Sequence, residues 1–252
     1  MKIIDNWQKN KFAKRQRAEN PDEQTKKIIA DRYLSSVYLE HLIHMIGLHE
    51  YTNNSRKRRI IELGGAGGVT SKYFPDIEVT DIRSFEGISK IVDAQNLPYG
   101  NSSIDLILAK DVLHHLPDVR MHFKEIERVL TSGGKIVYLE PNWNLISQFV
   151  FSFFHPEPYV KSMKNWQFSS NDPMDSNQAL PWIIFKRDSK KWKAKYPHLS
   201  FEIGKTSNGI DFLLSGGVYF RNRINSSLLL FLRKLPMFGI FDISRIIVVT
   251  KA

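Results

Sequence analysis

The chain has 252 residues, a formal net charge of +10 and no cysteine. That length suits one α/β domain with additions, and the missing thiols exclude disulfides, cysteine nucleophiles and cysteine–zinc sites. The longest near-apolar run, Leu145 to Phe154, is too short to span a bilayer, and the N-terminus has no apolar signal-peptide core, so a cytoplasmic location is expected.

Residues 1–55 read as a mostly helical cap. Ile28, Tyr33, Val37, Leu39, Leu42, Ile43 and Ile46 form an apolar stripe that breaks near Gly47. His41 and His44 stand three apart on it, but no ligand cluster supports them and no metal is assigned. Basic residues crowd this end (Lys9, Lys11, Lys14, Arg15, Arg17, then Arg56 to Arg59). A positive face of this kind steers anionic partners such as nucleic acid, anionic lipid or a phosphorylated intermediate.

Ile60 to Leu63 reads as a buried strand running into Gly64-Gly65-Ala66-Gly67-Gly68. Glycines let backbone approach a ligand closely. Val69 to Phe74 follows as a helix whose first amides face whatever the loop holds. Ile77 to Thr80 is a second strand ending at Asp81, placed to accept hydrogen bonds from a ribose diol. A third short run, Ile91-Val92, ends at Asp93-Ala94, where a carboxylate can accept from an exocyclic amine. Both aspartates also fit turn positions. Ile104 to Ala109 is apolar enough to be covered on both faces, as in a parallel sheet. Lys110-Asp111 and the pair His114-His115 follow it. Val119, Phe123, Ile126 and Leu130 have helical spacing, and Thr131-Ser132-Gly133-Gly134 is expected to stop that helix. Lys135 to Leu139 is a fifth strand ending at Glu140-Pro141. Leu199 to Ile203 and Ser244 to Thr250 supply the sixth and seventh.

From Arg58 to Asn142 this order resembles the class I S-adenosylmethionine-dependent methyltransferases. The loop lacks the spacing of a dinucleotide fingerprint, and no Walker-type lysine follows it. The resemblance implies a Rossmann-like α/β fold: a seven-stranded, mostly parallel sheet with helices on both faces. The last strand would be antiparallel, N-terminal helices would cover the cleft, and an insert would follow strand five. Residues 56–252 would form the methyltransferase domain, with 143–195 as a substrate-side insert or lid.

S-adenosyl-L-methionine is then the cofactor and S-adenosyl-L-homocysteine the product. Glu62 matches the family's acidic residue before the loop. The family's three glycines fall on Gly64, Ala66 and Gly68, with Ala66 departing from the pattern. Leu63, Gly65 and Gly67 complete the loop. Asp81 with Ile82, Asp93 with Ala94, and Ala109 with Lys110 are the further cofactor positions. His115 and His114 follow the fourth strand, where the family's acceptor sits, and imidazole titrates near neutrality. His155, beside Glu157 in the insert, and Asp111 are further catalytic candidates. The tail also resembles a subset of bacterial methyltransferases with a His-Pro-Glu-Pro-like turn, an Asn-Gln-Ala-Leu-Pro-Trp run and a Ser-Gly-Gly element.

The expected acceptor is a small molecule or a lipid-linked glycan, modified on oxygen or carbon. Phe149 to Phe154 and the Leu228–Lys234 helix suit peripheral contact with an anionic membrane. Nucleic-acid methylation is a second reading, motivated by charge. Against it, the fourth strand ends in Ala109-Lys110-Asp111-Val112 rather than an Asn/Asp-Pro-Pro-aromatic run. A non-catalytic cofactor binder is a third. Oligomeric state is not legible.

Overall fold

The computed structural model describes residues 20–47, 58–153, 155, 157–170, 172–218, 221 and 224–252. The basic cluster from Lys9 to Arg17, together with Arg56, Lys57 and Phe154, lies outside these.

Two helices, α1 (Pro21–Ala30) and α2 (Arg32–Gly47), precede β1 (Ile60–Leu63). Asn20 caps α1 by accepting from the Asp22 amide at 2.9 Å, and proline occupies the first turn, where no amide hydrogen is needed. The chain continues through α3 (Val69–Tyr73), β2 (Glu78–Asp81), β3 (Lys90–Ile91), β4 (Ile104–Lys110), a 3-10 turn over Leu113–His115 and α4 (Val119–Val129). β5 (Leu130–Pro141) leads to α5 (Leu145–Phe153), to α6 (Leu180–Trp182) with a π turn over Ile183–Arg187, and to α7 (Ser189–Lys195). β6 (Leu199–Ser207), α8 (Ile210–Ser215), α9 (Ser226–Arg233), a 3-10 turn over Pro236–Phe241 and β7 (Ser244–Lys251) complete it.

The strands form one sheet in the order β3-β2-β1-β4-β5-β7-β6. β1 to β5 are parallel, with Ile61 opposite Glu78 on one side and Ile107 on the other. β7 is antiparallel to both neighbours and is slotted between β5 and β6, running from Lys135↔Thr250 to Pro141↔Ser244 against β5. This is the expected seven-stranded Rossmann-like sheet.

β4 shows why its sequence is continuously apolar. Leu106 and Leu108 pack on one face with Leu42 and Met45 of α2, while Ile107 and Ala109 pack on the other with Phe123 and Ile126 of α4. Alternate side chains leave a strand on opposite faces, so two covered faces require an unbroken run. The period of α4 is read correctly from the sequence, but its end is not. The helix stops at Val129, and Leu130 already pairs with Ile104 in β5. Thr131 to Gly134 is an irregularity inside that strand, with Gly133 at φ +73°, rather than a cap beyond the helix. The pairing of Leu130 outcompetes the local stop signal.

The segment after β5 divides in two. His155, Glu157, Ser170, Asp172, Met174 and Gln178 border the cavity described below, whereas Trp166, Leu180, Ile183, Ile184 and Trp192 are buried in the main core. Trp192 stacks edge-on to Phe123 at 5.3 Å between ring centres. The second half of the expected lid is therefore part of the scaffold.

Candidate active site

All parallel strands end on one side of the sheet, where open α/β sheets hold ligands. A cavity of about 880 Å³ lies there. It is closed on one side by α1 and α2 and on the other by α5, α8 and the 155–178 segment.

The glycine loop forms one wall. Its glycines are required chiefly by protein neighbours. A Cβ on Gly67 would sit 2.2 Å from the Pro21 carbonyl oxygen of α1, and one on Gly68 would sit 2.2 Å from the Gly87 oxygen. Gly68 also has φ +76° as the residue before α3. Ala66 adopts φ +45°, a left-handed conformation that costs an alanine roughly 1 kcal/mol. That strain aims its amide at Asp81, whose Oδ2 accepts it at 3.0 Å, while Oδ1 accepts the Arg83 amide at 2.9 Å. Asp81 thus reaches the cavity wall with its orientation fixed by two backbone donors.

Glu62, at the end region of β1, is buried, and among the described residues its Oε2 has no hydrogen-bond partner. Burial pushes its pKa up to about 7. A buried carboxylate oxygen left unpaired is costly, and a cationic ligand group would satisfy it. Asp93 also lines the cavity; its Oδ1 accepts the Gln95 amide at 2.8 Å. Leu63, Gly64, Gly65, Ala66, Gly67, Ile82, Ala94 and Lys110 line the same wall. Gly68 and Ala109 do not. Gly68 turns the chain into α3, and Ala109 is fully buried in the core behind β4. Lys110 sends its ammonium to Asp111 at 2.7 Å and over the Tyr38 ring. Burial works against its charge, but Asp111 and Tyr38 outweigh this and raise its pKa. Asp111 is itself left-handed, at φ +55°, with 48% of its side chain open to the cavity.

The opposite end carries the histidines. Glu140, the buried acid near the end of β5, accepts the amides of Val112 and Leu113 with Oε1 at 2.9 and 2.6 Å, and its Oε2 lies 2.5 Å from His114 Nδ1. On its far side His114 Nε2 is 3.5 Å from Glu157. Burial opposes charge on His114, yet the two carboxylates lift its pKa to about 10. His115 has the opposite environment. Burial, then the charge on His114, push its pKa down to about 4. Its Nδ1 stands 3.2 Å from the Asp175 carbonyl, which can only accept, so Nδ1 carries the proton and Nε2 presents a lone pair. Nε2 is 3.8 Å from Glu157, longer than a hydrogen bond.

Glu157 joins these groups. Its Oε2 accepts from Ser176 Oγ at 2.8 Å and from the Gln178 side-chain amide. Burial opposes its charge, and His114 and His115 nevertheless hold its pKa well below the usual carboxylate range. His155 packs on Phe151, its Nδ1 accepts the Glu157 amide at 3.4 Å, and burial lowers its pKa. Asn177 and Gln178 anchor this segment through backbone bonds to the His114 and Pro158 carbonyls. One ligand-type atom each of His114, His115 and Glu157 lies within 4.8 Å of the others, but the protonated His114 has no lone pair to offer an ion.

The structure therefore brings His114, His115, His155 and Asp111 to one cavity together with Glu62, Asp81 and Asp93. Sequence reading missed Glu140 and the part played by Glu157. The available signal for Glu140 was an acid closing a continuously apolar strand, which demands a buried partner.

Comparison with known proteins agrees with this architecture. A family model described as a methyltransferase domain matches residues 80–138. The demethylmenaquinone methyltransferase of Staphylococcus epidermidis is 30% identical over 140 residues, covering 49% of this chain and 58% of that protein. The sarcosine/dimethylglycine N-methyltransferase of Halorhodospira halochloris is 24% identical over 159 residues, covering 56% and 57%. The chain thus spans less than three fifths of the length of these curated relatives. The complex between the Haloferax volcanii Trm112 methyltransferase activator and a methyltransferase contains the same fold: the TM-score is 0.50 at 12% identity, over 92% of this chain and 97% of that one.

Proposed function

We propose, from the class I S-adenosylmethionine-dependent methyltransferase domain that this chain carries, that it methylates an oxygen or an acidic carbon of a small-molecule acceptor. The observation that supports this best is the continuity of one cavity. It runs from the Glu62, Asp81 and Asp93 wall to the notch between His115 and Glu157.

The residues fit the methyl donor. The unpartnered Glu62 oxygen matches its ammonium group, Asp81 has carboxylate lone pairs for a ribose diol beyond the two amides it accepts, and Asp93 serves the exocyclic amine of the base. When bound, S-adenosylmethionine supplies an electrophilic methyl group on a sulfonium. The chain's own work is to place the acceptor and receive its proton. His115 is the better-placed proton acceptor because it is neutral and its Nε2 lone pair is directed toward the notch. His114 is already protonated between Glu140 and Glu157, so it takes no further proton and instead holds the Glu157 carboxylate ionised and in place at the notch. Asp175 and Glu140 hold the two rings in these roles through their Nδ1 atoms.

Calorimetry with S-adenosylhomocysteine tests the donor half. Binding by the wild type and its loss in Asp81→Ala is the expected result; a folded wild type that does not bind refutes the reading. His115→Ala should lower the rate of methyl transfer by roughly 100-fold while leaving donor affinity unchanged.

A further inference from the structure

We propose that the outer face of the cavity wall formed by α5 and α8, with α9 packed beside them, docks on an anionic membrane surface, and that the acceptor is carried on a lipid chain embedded there. This deepens the proposed function, because it names the acceptor class of the same cavity.

Three observations converge. The first is α5. Leu145, Phe149 and Phe153 recur every four residues and are all exposed, Leu145 to 85%. On a helix that spacing makes one continuous stripe. The adjoining side of α5 turns inward: Val150 and Phe151 line the cavity, and Ser147 is tied to the Asp242 carbonyl. The helix is thus a wall one residue thick between the acceptor space and the outside.

The second is that the apolar surface continues across the neighbouring elements. Asn144, just before α5, donates to the Ile240 carbonyl at 3.2 Å and fixes the 3-10 turn beside the helix, where Ile240 is 64% exposed. α8 contacts the same turn and exposes Leu214, while Phe212 and Leu213 line the cavity. α9 packs on α8 and exposes Leu228 and Phe231, the latter to 59%. Scattered exposed leucines are ordinary, but large aliphatic and aromatic side chains assembled on neighbouring elements of one cavity wall mark an interaction surface.

The third is charge. Residues 142–156 contain no Asp, Glu, Lys or Arg. Residues 208–241 contain one acid, Asp211, against Arg221, Arg223, Arg233 and Lys234. Asp211 is buried and accepts from the Tyr33 hydroxyl and Arg233. Lys161 reaches the side of α5 through Gln148. Arg221 is paired with Asp31, and Arg233 with Asp211 and the exposed Glu40, so among the described residues the bases left to meet anionic headgroups beside this uncharged apolar face are Lys161 and the exposed Lys234. A water-borne acceptor would give no reason to set that face on the outside of the acceptor wall.

Flotation with phosphatidylcholine–phosphatidylglycerol vesicles tests this, alongside pure phosphatidylcholine vesicles. The wild type should bind the anionic vesicles and bind neutral ones more weakly. The Leu145→Glu, Phe149→Glu, Phe153→Glu triple variant should lose binding by at least about tenfold, with an unchanged melting curve. All three positions are exposed, so folding is expected to survive. Phe149→Trp gives an independent readout: its emission should shift to the blue on anionic vesicles and be quenched by brominated lipid. Failure of the wild type to bind overturns the proposal, as does equal binding by the triple variant. A wild-type dimer in sedimentation that the triple variant abolishes also overturns it, by showing that the face pairs with a second copy. Calorimetry with S-adenosylhomocysteine on vesicle-free samples separates the two readings. Intact vesicle binding without nucleoside binding refutes the methyl-transfer reading alone, and the converse refutes membrane docking alone.

Discussion

Replacing Glu140 by glutamine should destabilise the protein most at acidic to neutral pH and progressively less as the solution becomes alkaline. The Oε1 side of the new amide can still accept from Val112 and Leu113, but its NH2 would face His114 Nδ1 at the place where a carboxylate oxygen now lies 2.5 Å away. His114 is buried, so the change removes one partner of a buried ionic pair, a loss on the order of 3 kcal/mol. The pH dependence identifies the cause. His114 has a folded-state pKa near 10 against an ordinary 6.5. A group raised on folding contributes its full stabilisation below the unfolded value and loses it as pH climbs through the folded one. The stability gap between wild type and Glu140→Gln should therefore be widest below pH 6.5 and narrow between 6.5 and 10. The slope should be on the order of 1 kcal/mol per pH unit, somewhat under the 1.36 kcal/mol of a fully uncoupled proton. Urea denaturation followed by tryptophan fluorescence at several pH values measures it, and taking the difference between the two proteins cancels the other titrating groups. A gap that stays constant with pH, or widens as pH rises, would refute the ion-pair account of His114.

Three other outcomes follow from the geometry. Ala66→Gly should stabilise the free protein by about 0.5–1 kcal/mol in the same denaturation assay, because glycine relieves the left-handed strain at φ +45° and offsets its own chain entropy; destabilisation would show that this strain is absent. Donor-product affinity should rise with pH up to about 7 and then level off, because Glu62, with its pKa near 7, must shed a proton before pairing with an ammonium; in calorimetry at pH 6 and 8, equal affinities would place the ammonium elsewhere. Phe123→Ala should cost about 3–5 kcal/mol, since the ring is fully buried and meets Trp192, Tyr138 and Phe185 edge-on; a loss under 1 kcal/mol would mean the cluster closes over the gap.

The cavity wall that carries Glu62, Asp81 and Asp93 was legible because its grammar is local. Strand, glycine loop and helix follow one another without interruption; Asp81 closes β2 and Asp93 follows β3 by two residues, and the parallel order must bring both to the same edge. The histidine end of the cavity was only half legible. His114 and His115 announce themselves by residue type and position, but what separates their protonation states comes from residues 26 and 42 positions away, Glu140 and Glu157. No periodicity links those positions; only the shared strand edge and the folding back of 155–178 do. Local signals also misled where pairing was stronger, as at Thr131 to Gly134, where a helix-stop composition is absorbed into β5. The glycines were attributed to ligand approach, yet Gly67 and Gly68 answer first to Pro21 and Gly87.

The position of β7 has a consequence for how the chain comes together during synthesis. β5 and β6 are made before the strand that joins them, and Lys135 meets Thr250 only after 115 further residues have been translated. At roughly 5–20 residues per second that interval is about 6–23 s. Throughout it, the hydrogen-bonding edge of β5 is open while β1 to β4 can already be in register, and β6 has no partner in the sheet. An open edge of this kind is a template for wrong pairing. The nascent chain should therefore be most prone to aggregate, and most dependent on chaperones, in the window between the emergence of Pro141 and that of Ser244.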